Sequence, residues 1–355
     1  MANQVNTNAK TDRRGWQALS FPEVLTKLHR ARVDNADRFF RRTTVLRSLA
    51  SLFFYARFVR SFSAPGYRRA VGDDASLEPD FNGQTWLVTG ATGGIGRTIA
   101  LQANRFGARV LAVGRNQDRL QNLKSEAVKP ARLIPVSADL SLMADVASLP
   151  SKRPMQTRPI DVLVNNVGVL LNDHSVTAEG LETSFATNLL GPFVLTEALL
   201  DSQRLASDGT AINVSSGGMY GSPLKLEPMN CLDSNRFDGM AAYAMHKRAL
   251  VELTRWWNHQ WDGAPAVHVM HPGWVDTDGV KTSLPLFRKT LRRVLRSPEQ
   301  GADTVLWLAD QRPPAPQEGG IWLDRSLQPE HEFAWTRKSD QTSENLVSYL
   351  RQQVP

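Results

Sequence analysis

The sequence predicts an α/β fold in which a doubly wound, parallel sheet of seven strands carries helices on both faces. Short β-rich segments alternate with helical patterns from residue 84 onward, and several, such as 110–113 and 162–164, are continuously apolar. Such runs are typical of strands that are buried on both faces. The first strand also ends in a glycine-rich turn that leads directly into a helix, the unit typical of Rossmann-type dinucleotide-binding folds. The predicted strands are 85–90, 108–114, 132–137, 160–166, 209–215, 265–271 and 320–324.

The length of 355 residues fits one large α/β domain with an extension. We predict an N-terminal extension over residues 1–81, with a disordered start followed by amphipathic helices. The Rossmann domain then covers residues 82–325, and a C-terminal tail with a short helix covers residues 326–355. The single cysteine, Cys231, excludes an internal disulfide and a cysteine-based metal cluster. This favours a reducing compartment and a cytoplasmic protein.

The net charge of +7 is unevenly distributed along the chain. Residues 1–70 contain 14 basic and 4 acidic residues, whereas the remainder contains 28 basic and 31 acidic residues. The predicted catalytic domain is therefore nearly neutral, which argues against nucleic acid as a partner. Residues 43–62 have one apolar helical face, but arginines interrupt the run, so it falls short of the ~20 predominantly apolar residues that a spanning helix needs. Two interpretations stay open: this helix packs against protein, or it makes a peripheral membrane contact.

The first turn has glycines at Gly90, Gly93, Gly94 and Gly96, with the spacing T-G-x-x-x-G-I-G. A helix N-terminus presents unpaired backbone N–H groups and a partial positive charge, which suit a pyrophosphate. Glycine allows the backbone to approach the phosphates because it has no Cβ. A turn without a ligand is the alternative, and the later motifs argue against it.

Tyr243, Lys247 and Ser215 are the candidate catalytic residues. Tyr243 and Lys247 are four residues apart and so share one helix face. We expect the nearby ammonium to lower the phenol pKa, which would let Tyr243 exchange a proton with a carbonyl or alcohol oxygen. Ser215 ends the fifth strand and is expected to hydrogen-bond the same oxygen. His246, between Tyr243 and Lys247, falls on another helix face and is predicted to be exposed.

The second strand ends at Gly114-Arg115, without the carboxylate that NAD enzymes usually place there to bind the ribose hydroxyls. An arginine at this point suits a 2′-phosphate. The sequence therefore favours NADP(H), with NAD(H) left open. No carboxylate or cysteine spacing joins His268 and His271 into a metal site, so no metal is expected.

Taken together, these motifs resemble the short-chain dehydrogenase/reductase family over roughly residues 82–325. The resemblance implies an oxidoreductase whose catalytic residues include Asn188, in the motif T-N-L, beside Ser215, Tyr243 and Lys247. It also implies that Lys247 binds the nicotinamide ribose and that Val167 replaces the usual alanine of an N-N-A-G motif. The implied cofactor contacts are Gly90, Thr92, Gly93, Gly94, Ile95, Gly96, Arg115, Asp139, Leu140, Asn166, Gly168, Tyr243, Lys247, Pro272, Gly273, Val275 and Thr277.

A closer similarity, carried by residues 214–219, 237–240, 271–277 and 300–309, is to a branch of the family related to retinol dehydrogenases. It implies a lipophilic carbonyl or alcohol substrate. The family resemblance implies a homodimer through the helices that carry Asn188 and Tyr243, with the alternative that the N-terminal extension blocks or replaces that contact. We expect the interval between Ser215 and Tyr243 to form an apolar pocket wall, and residues 285–295 to form a lid. The alternative function is a catalytically silent nucleotide-binding scaffold that the basic N-terminal helix recruits to a membrane or a partner.

Overall fold

The computed structural model describes residues 58–72 and 76–355. The disordered start predicted for the extension, and residues 43–57 of its amphipathic segment, lie outside the described residues. Residues 58–62 are helical. The helix α1 (Ala64–Val71) follows, and the Ser63 side chain caps it by accepting a hydrogen bond from the Gly66 N–H at 3.3 Å.

The chain from residue 84 onward alternates strands and helices, as predicted. The strands are β1 (Thr85–Thr89), β2 (Arg109–Gly114), β3 (Leu133–Ser137), β4 (Ile160–Asn165), β5 (Leu205–Val214), β6 (Ala266–Met270), β7 (Ile321–Leu323) and β8 (Ser326–Gln328). Their order in the sheet is β3-β2-β1-β4-β5-β6-β7-β8, and β1 to β7 pair in parallel. The strand order reverses between β1 and β4, which is where doubly wound sheets bind ligands.

The sheet has eight strands in place of the seven predicted, because β8 adds an antiparallel edge strand to β7. Asp324 and Arg325 form the connection with φ values of 52° and 62°. Two consecutive left-handed residues are typical of a type I′ hairpin turn. Strand β8 has three residues, none of them buried, so it has no apolar alternation that a sequence could reveal.

Helices cover both faces of the sheet. They are α2 (Gly94–Arg105), α3 (Gln117–Glu126), α4 (Met143–Ser148), α5 (Thr183–Phe185), α6 (Gly191–Asp201), α7 (Gly239–Gln260), α8 (Asp278–Ser283), α9 (Pro285–Leu291), α10 (Pro298–Gln311) and α11 (Ser343–Gln353). Buried residues of α2, α3 and α10 form one apolar core, and those of α4, α6, α7 and α11 form the other. In the described part of the chain, no helix is both long enough and apolar enough to cross a bilayer.

Helix α11 bears on the predicted dimer contact. Its side chains Leu346, Val347 and Leu350 are buried in the same apolar cluster as Phe193 of α6 and Trp257 of α7. Because α11 already covers part of the surface of α6 and α7, a homodimer through these two helices would have to bury other parts of their surface.

Candidate active site

The glycine turn begins where β1 ends. Gly90 has a φ of +64°, a conformation that side-chain-bearing residues rarely adopt. Helix α2 starts after Gly93 without a side-chain cap, so no capping side chain pairs with its first N–H groups. This arrangement fits the pyrophosphate site predicted from the sequence.

The close packing of the turn explains the third glycine position. A Cβ on Gly96 would lie 2.3 Å from the Asn166 Nδ2 atom and 2.4 Å from the Gly90 carbonyl oxygen. Asn166 itself donates from Nδ2 to the Thr89 carbonyl oxygen at 2.9 Å. The Thr89 hydroxyl accepts from the Asn166 N–H at 2.9 Å and the Val167 N–H at 3.1 Å. These contacts join the ends of β1 and β4 at the reversal of strand order.

The end of β2 places Arg115 at the outer part of the cleft. Arg115 is exposed, and its Nη1 atom lies 3.7 Å from the Asp139 Oδ2 atom. A Cβ on Gly114 would lie 2.9 Å from the Thr92 Cγ2 atom, so the turn leaves little room for an acidic side chain there. Arg97 forms an ion pair with Glu126, so it is already engaged. Arg115 is therefore the better placed of the two arginines to meet a 2′-phosphate.

The opposite wall of the cleft is the loop from Pro272 to Thr277. Gly273 has a φ of +74°. Thr277 caps α8, accepting a hydrogen bond from the Val280 N–H at 3.3 Å, and a Cβ on Gly94 would lie 3.2 Å from its Cγ2 atom. The glycine turn and this loop, which are far apart in sequence, therefore face each other at the carboxyl edge of the sheet.

Asn188 lies in a π-helical turn, Ala186–Leu190, between α5 and α6. Its side-chain amide is fully buried and makes two hydrogen bonds to the Val169 backbone. Oδ1 accepts from the Val169 N–H at 2.7 Å, and Nδ2 donates to the Val169 carbonyl oxygen at 2.8 Å. A π-turn inside a helix often marks a functional site. The amide fixes the segment that follows β4 against the helix, next to Gly168.

Lys247 is also buried and reaches the same segment. Its Nζ atom donates to the Val214 carbonyl oxygen at 2.9 Å, and a Cβ on Gly168 would lie 3.1 Å from it. Burial lowers the pKa of Lys247 to about 8, because the charged form loses its water. Asn188 and Lys247 thus meet at Gly168, where an added Cβ would lie 3.5 Å from the Asn188 Oδ1 atom.

The structure places the two serines after β5 in different environments. Ser215 is buried, and its hydroxyl donates to the Lys247 carbonyl oxygen at 2.8 Å. The Ser216 side chain, by hydrogen bonding, lowers the pKa of the Tyr243 hydroxyl and so opposes the effect of burial. Because the Ser215 hydroxyl is engaged inside the fold, the structure favours Ser216 for contact with the reacting oxygen, and the catalytic role of Ser215 stays a prediction. Sequence reasoning missed Ser216, for which the only signal was the doubled serine itself.

The expected effect of Lys247 on Tyr243 is wrong. Burial raises the pKa of the Tyr243 hydroxyl, and the Ser216 side chain opposes that rise. The reason lies in the lysine, whose Nζ atom points to the Val214 carbonyl oxygen and is 5.8 Å from the centre of the Tyr243 ring. Burial therefore favours the protonated phenol of Tyr243 over the phenolate.

Two further expectations need correction. His246 is fully buried rather than exposed: one ring nitrogen lies 3.0 Å from the Met229 carbonyl oxygen, and burial lowers its pKa to about 4. Met219, Tyr220 and Met229, expected in an apolar pocket wall, are buried in the fold. In the predicted lid, α9 carries Leu286, which is 75% exposed. Arg288 of α9 pairs with Asp276 through hydrogen bonds of 2.6 and 3.0 Å.

Comparison with known proteins agrees with this geometry. Residues 84–227 match the sequence model of the short chain dehydrogenase family. The chain is 37% identical over 313 residues to dehydrogenase/reductase SDR family member 12 of Bos taurus, covering 85% of this chain and 96% of that protein. It is 32% identical over 271 residues to retinol dehydrogenase 14 of Mus musculus, covering 70% and 80% of the two chains. Among solved structures, the angucycline C-6 ketoreductase LanV with bound NADP superposes with a TM-score of 0.51 at 26% identity, covering 66% of this chain and 91% of that one.

The chain belongs to the short-chain dehydrogenase/reductase family of oxidoreductases. Within the family it is related to the member 12 proteins and to the retinol dehydrogenases.

Proposed function

We propose that this protein is an NADP(H)-dependent oxidoreductase that interconverts a lipophilic carbonyl compound and its alcohol. The observation that carries the proposal is the convergence of Tyr243, Ser216, Lys247 and Asn188 beside a glycine turn with an uncapped helix N-terminus. The residues present fit a dinucleotide: the turn suits the pyrophosphate, and Arg115 with Asp139 lies at the adenine end. A bound nicotinamide would supply the hydride chemistry.

In this proposal Tyr243 is the general acid and base. As a protonated phenol it donates its proton to the carbonyl oxygen during reduction, and it accepts that proton during oxidation. Ser216 polarises the same oxygen and stabilises the phenolate left on Tyr243. Lys247 holds the cofactor ribose, and its lowered pKa suits it to returning a proton to Tyr243. Asn188 supports this relay by fixing the backbone at Val169.

The preference for NADP(H) rests on Arg115, since Gly114 brings no carboxylate to the ribose and crowding by Thr92 disfavours one. Titration of the wild type and Arg115→Ala with NADPH and NADH tests it. We expect the mutant to lose about 10- to 100-fold in NADPH affinity, the value of a charge-assisted contact, with NADH affinity little changed. Arg119→Ala, at an exposed arginine in α3, is the matched control. Equal loss in both variants, or equal binding of both cofactors by the wild type, would contradict the assignment.

The lipophilic substrate rests on similarity to a retinol dehydrogenase and on the exposed Leu286 of the lid. A screen of long-chain aldehydes, ketones and alcohols with both cofactors tests it. Absence of turnover in a protein that binds NADPH would favour the silent-scaffold alternative instead.

We further propose a cytoplasmic protein with peripheral membrane contact through its N-terminal extension. Co-sedimentation with anionic liposomes, unchanged after removal of residues 1–57, would contradict that role for the extension.

A further inference from the structure

One arginine remote from the cofactor motifs connects three separate parts of the chain. Arg296 is 1% exposed and pairs with Asp324 through two hydrogen bonds of 2.5 and 2.8 Å. Its Nε atom donates to the Phe62 carbonyl oxygen at 3.0 Å, Nη2 to the Ser61 carbonyl oxygen at 2.6 Å, and Nη1 to the Pro272 carbonyl oxygen at 3.2 Å. Every guanidinium nitrogen is therefore used.

These contacts hold the loop from Pro272 to Thr277 on both sides. On one side, the Trp274 N–H donates to the Phe62 carbonyl oxygen at 2.8 Å. On the other, the Arg296 N–H donates to the Trp274 carbonyl oxygen at 2.7 Å, and the Arg296 carbonyl oxygen accepts from the Asp276 N–H at 2.9 Å. A Cβ on Gly273 would lie 2.4 Å from the Arg296 Nε atom, so the loop backbone rests directly on the guanidinium.

The Phe62 ring reaches the catalytic serine loop as well. A Cβ on Gly217, the residue after Ser216, would lie 2.4 Å from the ring's Cε2 atom. The same ring packs edge-to-face with His271 at 4.5 Å and with Trp274 at 5.7 Å between centroids. One side chain from the N-terminal part of the protein therefore lies against both loops that flank the reaction centre.

We propose that Phe62 and Arg296 are positioning residues for the nicotinamide half of the active site, and that the segment containing Ser61 and Phe62 is an integral part of that site. This inference rests on the proposed function. Phe62 lies outside residues 84–227, which match the family model, and so does Arg296. A buried ion pair contributes little net stability compared with apolar packing, but its donors are strongly directional. Here those donors fix the backbone of a loop, which is what orienting a cofactor ring requires.

The test separates the two halves of the cofactor. Full-length wild type, Phe62→Leu and Arg296→Lys are titrated with NADPH and with 2′,5′-ADP, which probes the adenine half alone. We expect both variants to lose at least tenfold in NADPH affinity, with affinity for 2′,5′-ADP changed less than twofold. The blue shift of NADPH fluorescence on binding should also shrink, because the nicotinamide would no longer be held in one orientation.

Leu308→Ala is the control for lost stability alone, since Leu308 is fully buried in α10 within the apolar core that also contains residues of α2 and α3. It should lower the melting temperature while leaving the ratio of the two affinities unchanged. An unchanged ratio in Phe62→Leu, which keeps an apolar side chain and so is expected to fold even if Arg296→Lys does not, would overturn the inference. Failure of the wild type to bind NADPH would instead overturn the proposed function, so the two failures are distinguishable.

Discussion

The two halves of the active-site cleft are built in different ways. On the adenine side, the contacts that shape the cleft come from strand ends and from the glycine turn and helix that follow β1: Gly96 with Asn166, Gly114 with Thr92, and Arg115 with Asp139. On the nicotinamide side, the loop from Pro272 to Thr277 is held by residues as distant as Phe62 and Arg296. The first half is mostly backbone and glycine, whereas the second depends on buried side chains.

This difference indicates which substitutions should damage each half of the cleft. Backbone N–H groups and glycine turns are set by steric rules that act over a few residues. Buried charges such as Arg296 and Lys247 depend on partners that must all be in place, because a buried charge without its partner is costly. We therefore expect substitutions on the adenine side to change binding, and those on the nicotinamide side to change orientation and chemistry.

The largest expected effect tests whether the two halves are separable. Tyr243→Phe removes the proposed acid while keeping the ring, so kcat should fall by about 10²- to 10⁴-fold. NADPH affinity should remain within a fewfold of wild type, because the hydroxyl is not part of the phosphate cradle. Steady-state kinetics and cofactor titration measure the two quantities. A mutant that retains more than a tenth of wild-type kcat would remove Tyr243 from the proposed mechanism.

The next effect distinguishes the adjacent serines. Ser216→Ala should lower kcat by about 10²- to 10³-fold, because it removes the hydroxyl that acts on the reacting oxygen. Ser215→Ala removes a hydrogen bond to the Lys247 carbonyl oxygen and should cost about 1 kcal/mol of unfolding free energy with a much smaller loss of kcat. Each variant is the control for the other. The reverse ranking of kcat would restore Ser215 as the catalytic serine.

A smaller effect concerns the adenine side. Gly96→Ala should lower the unfolding free energy of the cofactor-free protein by about 1–3 kcal/mol, because its Cβ would overlap Asn166 and the Gly90 carbonyl oxygen. The Cβ that Gly93→Ala adds would have no atom within 4 Å, so this variant should leave the unfolding free energy almost unchanged. Denaturant unfolding of the two variants without cofactor measures the difference. Equal stability would show that the turn relaxes more easily than its packing indicates.

The smallest effect is a pH dependence of stability on the nicotinamide side. Burial lowers the pKa of His271 to about 3 from the usual value of 6.5. Between these values the unfolded chain binds a proton that the folded chain does not. Stability is therefore fully present above pH 6.5 and falls on acidification, by up to about 1.4 kcal/mol per pH unit for each such histidine. His271→Asn should reduce the slope of unfolding free energy against pH between 6.5 and 5. An unchanged slope would mean that His271 is protonated in the fold.

Most of the fold could be predicted from the sequence because it is encoded locally. Continuous apolar runs fix buried parallel strands such as β2 and β4, and the glycine spacing after β1 fixes the phosphate turn. The hairpin strand β8 could not be predicted, because three residues without a buried face leave no pattern. The domain boundaries and the cofactor contacts assigned from the sequence remain predictions.

The sequence allowed candidate site residues to be chosen, but it did not allow the directions of their side chains to be predicted. The i, i+4 spacing brought Tyr243 and Lys247 to one helix face, but it could not show that Nζ turns to the Val214 carbonyl oxygen. The doubled serine could not reveal which hydroxyl faces the tyrosine. The burial of His246 depends on the segment around Met229, which sequence periodicity within α7 does not report. No sequence pattern indicated a role for Phe62 or Arg296, because the contact between them joins residues more than 200 positions apart.

The contact between Phe62 and Trp274 also constrains how the protein is made. The two residues are separated by 212 positions. At about 5–20 residues per second, the ribosome adds Trp274 roughly 10–40 s after Phe62. For that interval the nascent chain carries the aromatic rings of Phe58 and Phe62 without the surface that later buries them. Until Trp274 has been added, the segment that we propose to complete the active site would therefore be an exposed apolar target for a chaperone on the emerging chain.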